Sequence, residues 1–331
     1  MIVETKIEGW DNKLLSNGNV IYPQCNDCNA PNNYFLSIFA GARGSGKSFL
    51  ATKLLKTLEK KGIYENGKKI PMRTILLSTT AHSDSNKILK NLKSIDWDND
   101  VIEEYNDEVL KDKIEELKED LENANDYKKY REVWIKFKKI NDVDELTEEE
   151  MILLNKYNFI PLKELPKPKY PEGFITTLFV DDMVGTNLFK NGRSYFTNLC
   201  IRHRHSPAPI NIIITTQSIM MVSKTIRINA NLIALFKFAN KKIILNDLYP
   251  NISSYITEQE FEDIYNYATK DPHNALIIDT TKGKLLLKQI LINCYHLIIV
   301  WFQSSSICIN TIKYAFIKSA LVQFLYAIHS H

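Results

Sequence analysis

One run of eight residues carries the clearest chemical signature in the chain. The segment GARGSGKS fits the pattern G-x-x-x-x-G-K-[ST] at every fixed position. Its glycines let the backbone wrap a phosphate, Lys47 reaches the β- and γ-phosphates, and the Ser48 hydroxyl binds Mg²⁺. The alternative is a glycine-rich turn that caps a helix and binds nothing. The segment predicts an ATP and Mg²⁺ site made of Gly41, Ala42, Arg43, Gly44, Ser45, Gly46, Lys47 and Ser48.

Two adjacent carboxylates form the second candidate group. In TTLFVDD an apolar run leads directly into Asp181 and Asp182. A phosphate-binding loop needs an acid that holds the magnesium from the tip of a buried strand, and Asp181 is placed for that role. Asp182, one residue further on, could polarise an attacking water molecule. The alternative makes one of the two acids the N-cap of a following helix.

A glutamine and a cluster of cations complete the candidate set. Gln217 closes the apolar run INIIITTQ, where its amide could contact the γ-phosphate and water. The cations between the acids and this glutamine could contact the phosphate backbone of DNA, supply an arginine finger to a neighbouring subunit, or form a solvated helix end. They are Lys190, Arg193, Arg202 and Arg204, accompanied by His203 and His205.

The elements that must position these groups indicate an α/β fold. Residues 34–55 are predicted to form a strand, a glycine-rich turn and a helix. Further apolar runs are near-continuous rather than alternating, as expected for strands buried on both faces of a mostly parallel sheet that is flanked by helices. These runs lie at residues 73–79, 176–182, 210–217, 231–238 and 274–281.

A charged segment interrupts the predicted core. Residues 96–150 hold 21 acids against 9 bases, and the rest of the chain holds 33 bases against 18 acids. The segment is predicted to form one or two long amphipathic helices, and prolines in 160–173 end it. A basic body could bind a polyanion, or its lysines could only provide solubility. The predicted division is 1–82 for the first part of the core, 83–172 for an acidic helical insertion with a proline-rich connector, 173–290 for the second part, and 291–331 for a tail.

The tail differs from the rest of the chain in composition. No Asp or Glu occurs from Thr280 to His331. Residues 291–331 could be a buried helix pair, an interfacial segment or sequence foreign to the domain, and membrane contact is expected only through them. At the other end, Glu4 and Lys6 stand where a secretory signal would be apolar, so no such signal is predicted.

Taken together, these motifs resemble the genome-packaging ATPases of poxviruses, other large DNA viruses and virophage-like elements, in the HerA and FtsK group of DNA pumps. The resemblance covers about residues 34–80 and 174–282. Its more specific part is the block from Asp181 to Phe238. This block includes RHSPAPINIIITTQS, residues 204–218, and IRINANLIALFKF, residues 226–238. It implies a RecA-like P-loop NTPase in which the Gln217 strand lies between the P-loop strand and the strand that ends in the acids.

The resemblance also implies an activity and its partners. A ring of several copies would push double-stranded DNA into a capsid using ATP, beside capsid or portal-vertex proteins, in the cytoplasm of an infected cell or associated with the virion. Asp182 would activate water, Gln217 would sense the γ-phosphate, and Arg204 would be a candidate finger. Alternatives that remain are a P-loop kinase of a nucleotide or small metabolite, a conjugation or segregation pump, and a nucleotide-gated scaffold.

Overall fold

The structure is a computed structural model that describes residues 23–25, 30–65, 67–82, 88–140, 142, 144–183, 186–189, 194–206, 208–238, 246, 248–253, 256–281 and 286–290. Four of the predictions above fall elsewhere, because Lys190, Arg193, the tail 291–331 and the start of the chain with Glu4 and Lys6 lie outside the described residues. Within the described part, no helix is both long enough and apolar enough to cross a membrane.

An eight-stranded sheet forms the centre of the molecule. Its strands are β2 (Leu36–Ala40), β5 (Met72–Leu77), β6 (Val101–Ile102), β7 (Ile175–Val180), β8 (Ile210–Thr216), β9 (Leu232–Phe236), β10 (Ala275–Asp279) and β11 (Leu286–Ile290). They lie side by side in the order β11-β10-β9-β2-β8-β7-β5-β6. The six strands from β9 to β6 are mutually parallel. A small antiparallel sheet joins β1 (Gln24–Cys25), β3 (Ile63–Glu65) and β4 (Lys68–Ile70).

Helices cover both faces of the main sheet. They are α1 (Lys47–Lys61), α2 (Asp107–Ile140), α3 (Glu148–Lys156), α4 (Tyr195–Arg202), α5 (Lys224–Asn229), α6 (Tyr249–Ile252) and α7 (Glu258–Ala268). Successive residues of a strand point to opposite faces, so Phe39 of β2 packs in the core with α1, whereas Ile38 packs in the other core with α4, α5 and α7. This two-sided burial explains why the strand sequences are apolar throughout.

The predicted α/β fold is confirmed, and so is its sheet order. β8, the Gln217 strand, lies between β2, which leads into the P-loop, and β7, which leads into the two acids. This is the RecA-like arrangement of a P-loop NTPase. One detail differs from the parallel pattern: β10 runs antiparallel to β9. A strand covered on both faces is apolar whichever way it runs, so its composition does not reveal its direction.

The charged segment contains the predicted helices. α2 is 34 residues long, and its first half packs on the main core through Leu110, Ile114 and Leu117. Its second half and α3 enclose a separate small core around Tyr130 and Trp134. The strand β6, from the start of this segment, pairs with β5 in the main sheet. The domain boundaries proposed from composition stay a prediction.

A buried arginine ties this segment to the sheet. Arg73 of β5 is 3% exposed, and its guanidinium donates to both carboxylate oxygens of Asp100 at 2.9 and 2.7 Å. It also donates to Glu116 and to Asp120 of α2, each at 2.6 Å. Burial alone would lower the pKa of Arg73, but the hydrogen bonds with Asp100 and Glu116 outweigh it and raise that pKa. The guanidinium therefore stays charged and holds α2 against the core.

Candidate active site

The phosphate-binding loop lies at the carboxyl edge of the parallel strands, between β2 and α1. Gly44 and Gly46 have φ of 76° and 98°, a left-handed conformation that glycine adopts without strain. Gly46 is the N-cap of α1, so the loop delivers Lys47 and Ser48 into the first turn of the helix. The loop geometry follows from the glycine spacing seen in the sequence.

The first glycine of the loop, Gly41, is required because there is no room for a side chain, and not because of its backbone conformation. A Cβ added to Gly41 would lie 2.5 Å from Ser45 Oγ and 2.7 Å from Phe236 Cβ. The Gly41 amide donates to the carbonyl of Thr216 at 3.1 Å, which fixes the loop beside the end of β8. The start of the P-loop is thus packed directly against its two neighbouring strands, β8 and β9.

Two polar groups of the loop match a phosphate ligand. Lys47 is only 7% exposed, although it makes no salt bridge with the residues that the structure describes. The Ser45 hydroxyl is buried and has no hydrogen-bond partner among them. A bound phosphate would satisfy both groups. His273, which the sequence analysis did not single out, approaches the same loop, and its Nδ1 donates to the Ser45 carbonyl at 3.3 Å.

One carboxylate oxygen of Asp181 accepts hydrogen bonds from two hydroxyl groups. Ser48 Oγ donates to Asp181 Oδ1 at 2.8 Å, and Thr215 Oγ1 donates to the same oxygen at 2.7 Å. The Asp181 residue is 4% exposed. The structure therefore brings together the two residues that the sequence assigned to a metal, and it adds Thr215. The sequence feature that could have identified Thr215 is the pair of threonines before Gln217, at the end of the otherwise apolar β8.

These donors suit magnesium. Mg²⁺ prefers hard oxygen ligands and is held in P-loop proteins by the loop hydroxyl and a strand-end acid. Ser48 and Asp181 offer that pair, so they are the residues that would hold the ion. When bound, Mg²⁺ neutralises charge on the phosphate oxygens.

Asp182 and Gln217 contact each other directly. Gln217 Nε2 lies 3.1 and 3.3 Å from the two carboxylate oxygens of Asp182 and donates to them. The backbone amide of Asp182 donates to Thr215 Oγ1 at 3.1 Å, and the residue has a φ of 50°. The first described helix after Asp182 is α4, which is capped by Ser194. Asp182 therefore caps no helix in the described part of the chain.

The cation cluster divides into buried and exposed members. His203 is 3% exposed, and its Nδ1 donates to the Cys200 carbonyl at 2.7 Å. Burial lowers the pKa of His203, so its ring is held neutral as part of the packing. Arg202 and Arg204 are exposed and make no hydrogen bond with the P-loop or the acids within the described residues. Among the same described residues, no group of three or more His, Cys, Asp or Glu side chains is arranged to hold a metal ion.

Thr215 offers a direct test of how Asp181 and Asp182 are positioned. We expect Thr215→Val to weaken MgATP binding by about 10-fold or more, because groups that orient metal ligands typically contribute this much. The change also leaves the Asp182 amide without its acceptor. The matched control is Thr176→Val in the adjacent β7, whose buried hydroxyl has no partner among the described residues. Fluorescent nucleotide titration checks both variants, and equal affinities would contradict the role given to Thr215.

No model of a protein family matches the chain, and no curated protein matches it. Among solved structures, the genome packaging NTPase B204 from Sulfolobus turreted icosahedral virus 2, in complex with AMPPCP, is 14% identical, with 76% of this chain and 96% of that chain covered and a TM-score of 0.40. EssC (ATPases 2 and 3) from Geobacillus thermodenitrificans is 17% identical, with 76% and 38% covered and a TM-score of 0.39. The pCW3 conjugation coupling protein TcpA is 14% identical, with 83% and 61% covered and a TM-score of 0.34. Similarity at this level identifies neither the activity nor the partners of this chain.

Proposed function

We propose that the chain is an ATPase that moves double-stranded DNA, most specifically a motor that packages a viral genome into a capsid. The observation that carries the ATPase proposal is a continuous set of hydrogen bonds across three elements. It runs from Ser48 to Asp181, through Thr215, and from there to Asp182 and Gln217. Binding at the P-loop is thereby linked to the acid and amide beside it.

The geometry supports a division of labour between the two acids. Asp181 is buried and occupied by two hydroxyl donors, which suits a metal ligand. Asp182 is partly exposed, and among the described residues its carboxylate receives only the Gln217 amide. It can therefore accept a proton from a water molecule that attacks the γ-phosphate. Lys47 stabilises the negative charge of the phosphates. The hydrolysed bond joins the γ-phosphorus to the bridging oxygen, and the products are ADP and inorganic phosphate.

Gln217 supplies a link between hydrolysis and movement. Its amide contacts Asp182, and the residues that follow, Ile219–Met221 and α5, lie on the chain between it and β9. A γ-phosphate would compete with Asp182 for the Gln217 amide. Loss of that phosphate after hydrolysis would return Gln217 to Asp182, and the segment after β8 would shift with it.

Charge supports a nucleic-acid partner. Residues 183–246 contain no Asp or Glu and nine Lys and Arg residues. The exposed Arg202 and Arg204 of this stretch suit contacts with phosphate, either of DNA or of a nucleotide held by a neighbouring copy. The packaging role, a ring of several copies and a capsid or portal-vertex partner rest on the family resemblance of the motifs between Asp181 and Phe238.

The proposal is tested by measuring products and rates together. Purified protein with Mg²⁺ and ATP is expected to release inorganic phosphate, and linear double-stranded DNA is expected to raise the rate. A phosphorylated acceptor in place of free phosphate would identify a kinase instead. Hydrolysis that double-stranded DNA does not change, in an assembled sample, would contradict the DNA motor. Packaging is distinguished from conjugative transfer by co-purification with capsid proteins.

A further inference from the structure

A cleft lined by lysines lies at the opposite end of α1 from the P-loop. Its volume is about 530 Å³, and it is bounded by the last turn of α1, the start of β5, the segment 91–94 and Tyr170. Because α1 rises about 1.5 Å per residue, the cleft begins about 14 Å from Lys47, at Lys56, and extends to the end of the helix about 21 Å away. It is therefore separate from the nucleotide site.

The cleft carries an excess of free positive charge. Four exposed lysines line it, Lys56, Lys60, Lys69 and Lys93, and none of them makes a salt bridge with a described residue. The one acid of the lining, Glu59, already accepts hydrogen bonds from the protein backbone. Its carboxylate accepts from the backbone amides of Lys93 and Ser94, at 3.2 and 2.9 Å.

The positive surface extends beyond the cleft itself. Lys53 lies one turn before Lys56 on the same face of α1 and is exposed. Lys61, Lys68 and Lys90 are exposed on the elements that border the cleft. The Lys69 side chain lies close over Gly62, where an added Cβ would come within 2.6 Å of its Cε atom. Cations therefore outnumber acids on the exposed face of α1, the β3–β4 hairpin and the turn that contains Lys90, with Glu65 of β3 as an exposed acid among them.

The kind of donor in the cleft indicates the kind of anion. A pocket for a small phosphorylated molecule needs fixed donors such as backbone amides or arginine forks. Among the described residues, no buried side-chain donor without a partner lines this cleft. Lysines are mobile point charges that suit the regularly spaced phosphates of a nucleic acid, where binding depends on neutralised charge and not on shape.

We propose that this lysine cleft binds the phosphate backbone of double-stranded DNA. The inference rests on the proposed function, and it places a DNA contact away from the Arg202 and Arg204 cluster. A duplex held here contacts the last turn of α1, whose first turn carries Lys47 and Ser48. Binding of DNA at one end of this helix can therefore alter the position of the phosphate-binding residues at the other.

The test compares two variants that remove equal charge. The cleft variant carries Lys56→Gln, Lys60→Gln, Lys69→Gln and Lys93→Gln. The control carries Lys111→Gln, Lys129→Gln, Lys139→Gln and Lys163→Gln, four exposed lysines elsewhere. The affinity for a fluorescent duplex of about 40 base pairs, which is long enough to cover the surface, is measured over a series of salt concentrations. ATP hydrolysis without DNA is measured alongside.

The cleft variant is expected to bind DNA at least about tenfold more weakly at low salt, with a slope of log affinity against log salt reduced by about 3 to 4. The control variant should match the wild type, and hydrolysis without DNA should be unchanged in both. Equal DNA affinities in all three proteins, or an equal loss of DNA affinity in both variants, would overturn the inference. The proposed function would still stand in that case if DNA stimulates ATP hydrolysis by the wild type. No DNA binding by the wild type would overturn both. Cleft-dependent binding to vesicles of anionic lipid, without DNA binding, would assign the surface to a membrane and overturn the inference.

Discussion

Replacing Asp182 by asparagine is expected to lower the turnover of ATP by about 10²- to 10⁴-fold, the usual contribution of a general base. Asparagine has the same shape but accepts no proton, so the attacking water would lose its base. The affinity for MgATP should change little, because Ser48, Asp181 and Lys47 are untouched. Single-turnover hydrolysis and nucleotide titration measure the two quantities separately.

A second carboxylate provides the control for this variant. Asp263 on α7 is exposed and also accepts from a glutamine amide, that of Gln259, at 3.1 Å. Asp263→Asn therefore makes the same chemical change to the same kind of pair, away from the phosphate loop. Its turnover should equal that of the wild type. If Asp182→Asn also keeps full turnover, the base lies elsewhere and Asp182 is a positioning residue at most.

Replacing Arg73 by methionine is expected to lower the free energy of unfolding by about 3–5 kcal/mol, which is the typical effect of removing one member of a buried ion pair. Asp100 is fully buried and would lose both hydrogen bonds from the guanidinium. Lys113, whose Nζ lies 3.6 Å from Asp100 Oδ1, would remain as the only cation within 4 Å of it among the described residues. Urea unfolding monitored by circular dichroism measures the change.

The matched control is Arg131→Met, which removes a partly exposed pair with Glu172. Exposed pairs contribute about 0–1 kcal/mol, so this variant should unfold close to the wild type. The double variant Arg73→Met with Asp100→Leu should recover part of the loss, because no buried carboxylate is left unpaired. Equal stability of Arg73→Met and the wild type would show that the buried network does not hold α2 to the sheet.

The sequence could predict the sheet and the loop because local pattern determines both. Continuous apolar runs are strands buried on both faces, and glycines at 41 and 46 before Lys47 have few structural uses other than a phosphate loop. The long α2 was visible in the same way from its composition. These features depend on residues that are close together along the chain.

Contacts between residues that are far apart along the chain could not be predicted from the sequence. The contact of Gln217 with Asp182 joins two strands, and the Arg73 network joins β5 to carboxylates at 100, 116 and 120. The direction of β10 depends on how the chain returns to the sheet, which apolar content does not record. The lysine cleft combines α1, the β3–β4 hairpin and segment 91–94, and each alone is an ordinary charged surface.

ATP-driven movement along DNA is the property that most directly distinguishes a DNA motor from an ATPase that only binds DNA. A third strand bound at one end of a linear duplex is released when a motor passes, and its release can be followed by fluorescence. We predict release by the wild type with Mg²⁺ and ATP, and none with a non-hydrolysable analogue or in Lys47→Ala. If the wild type hydrolyses ATP and binds the duplex but leaves the third strand in place, the chain is an ATPase that does not move along DNA.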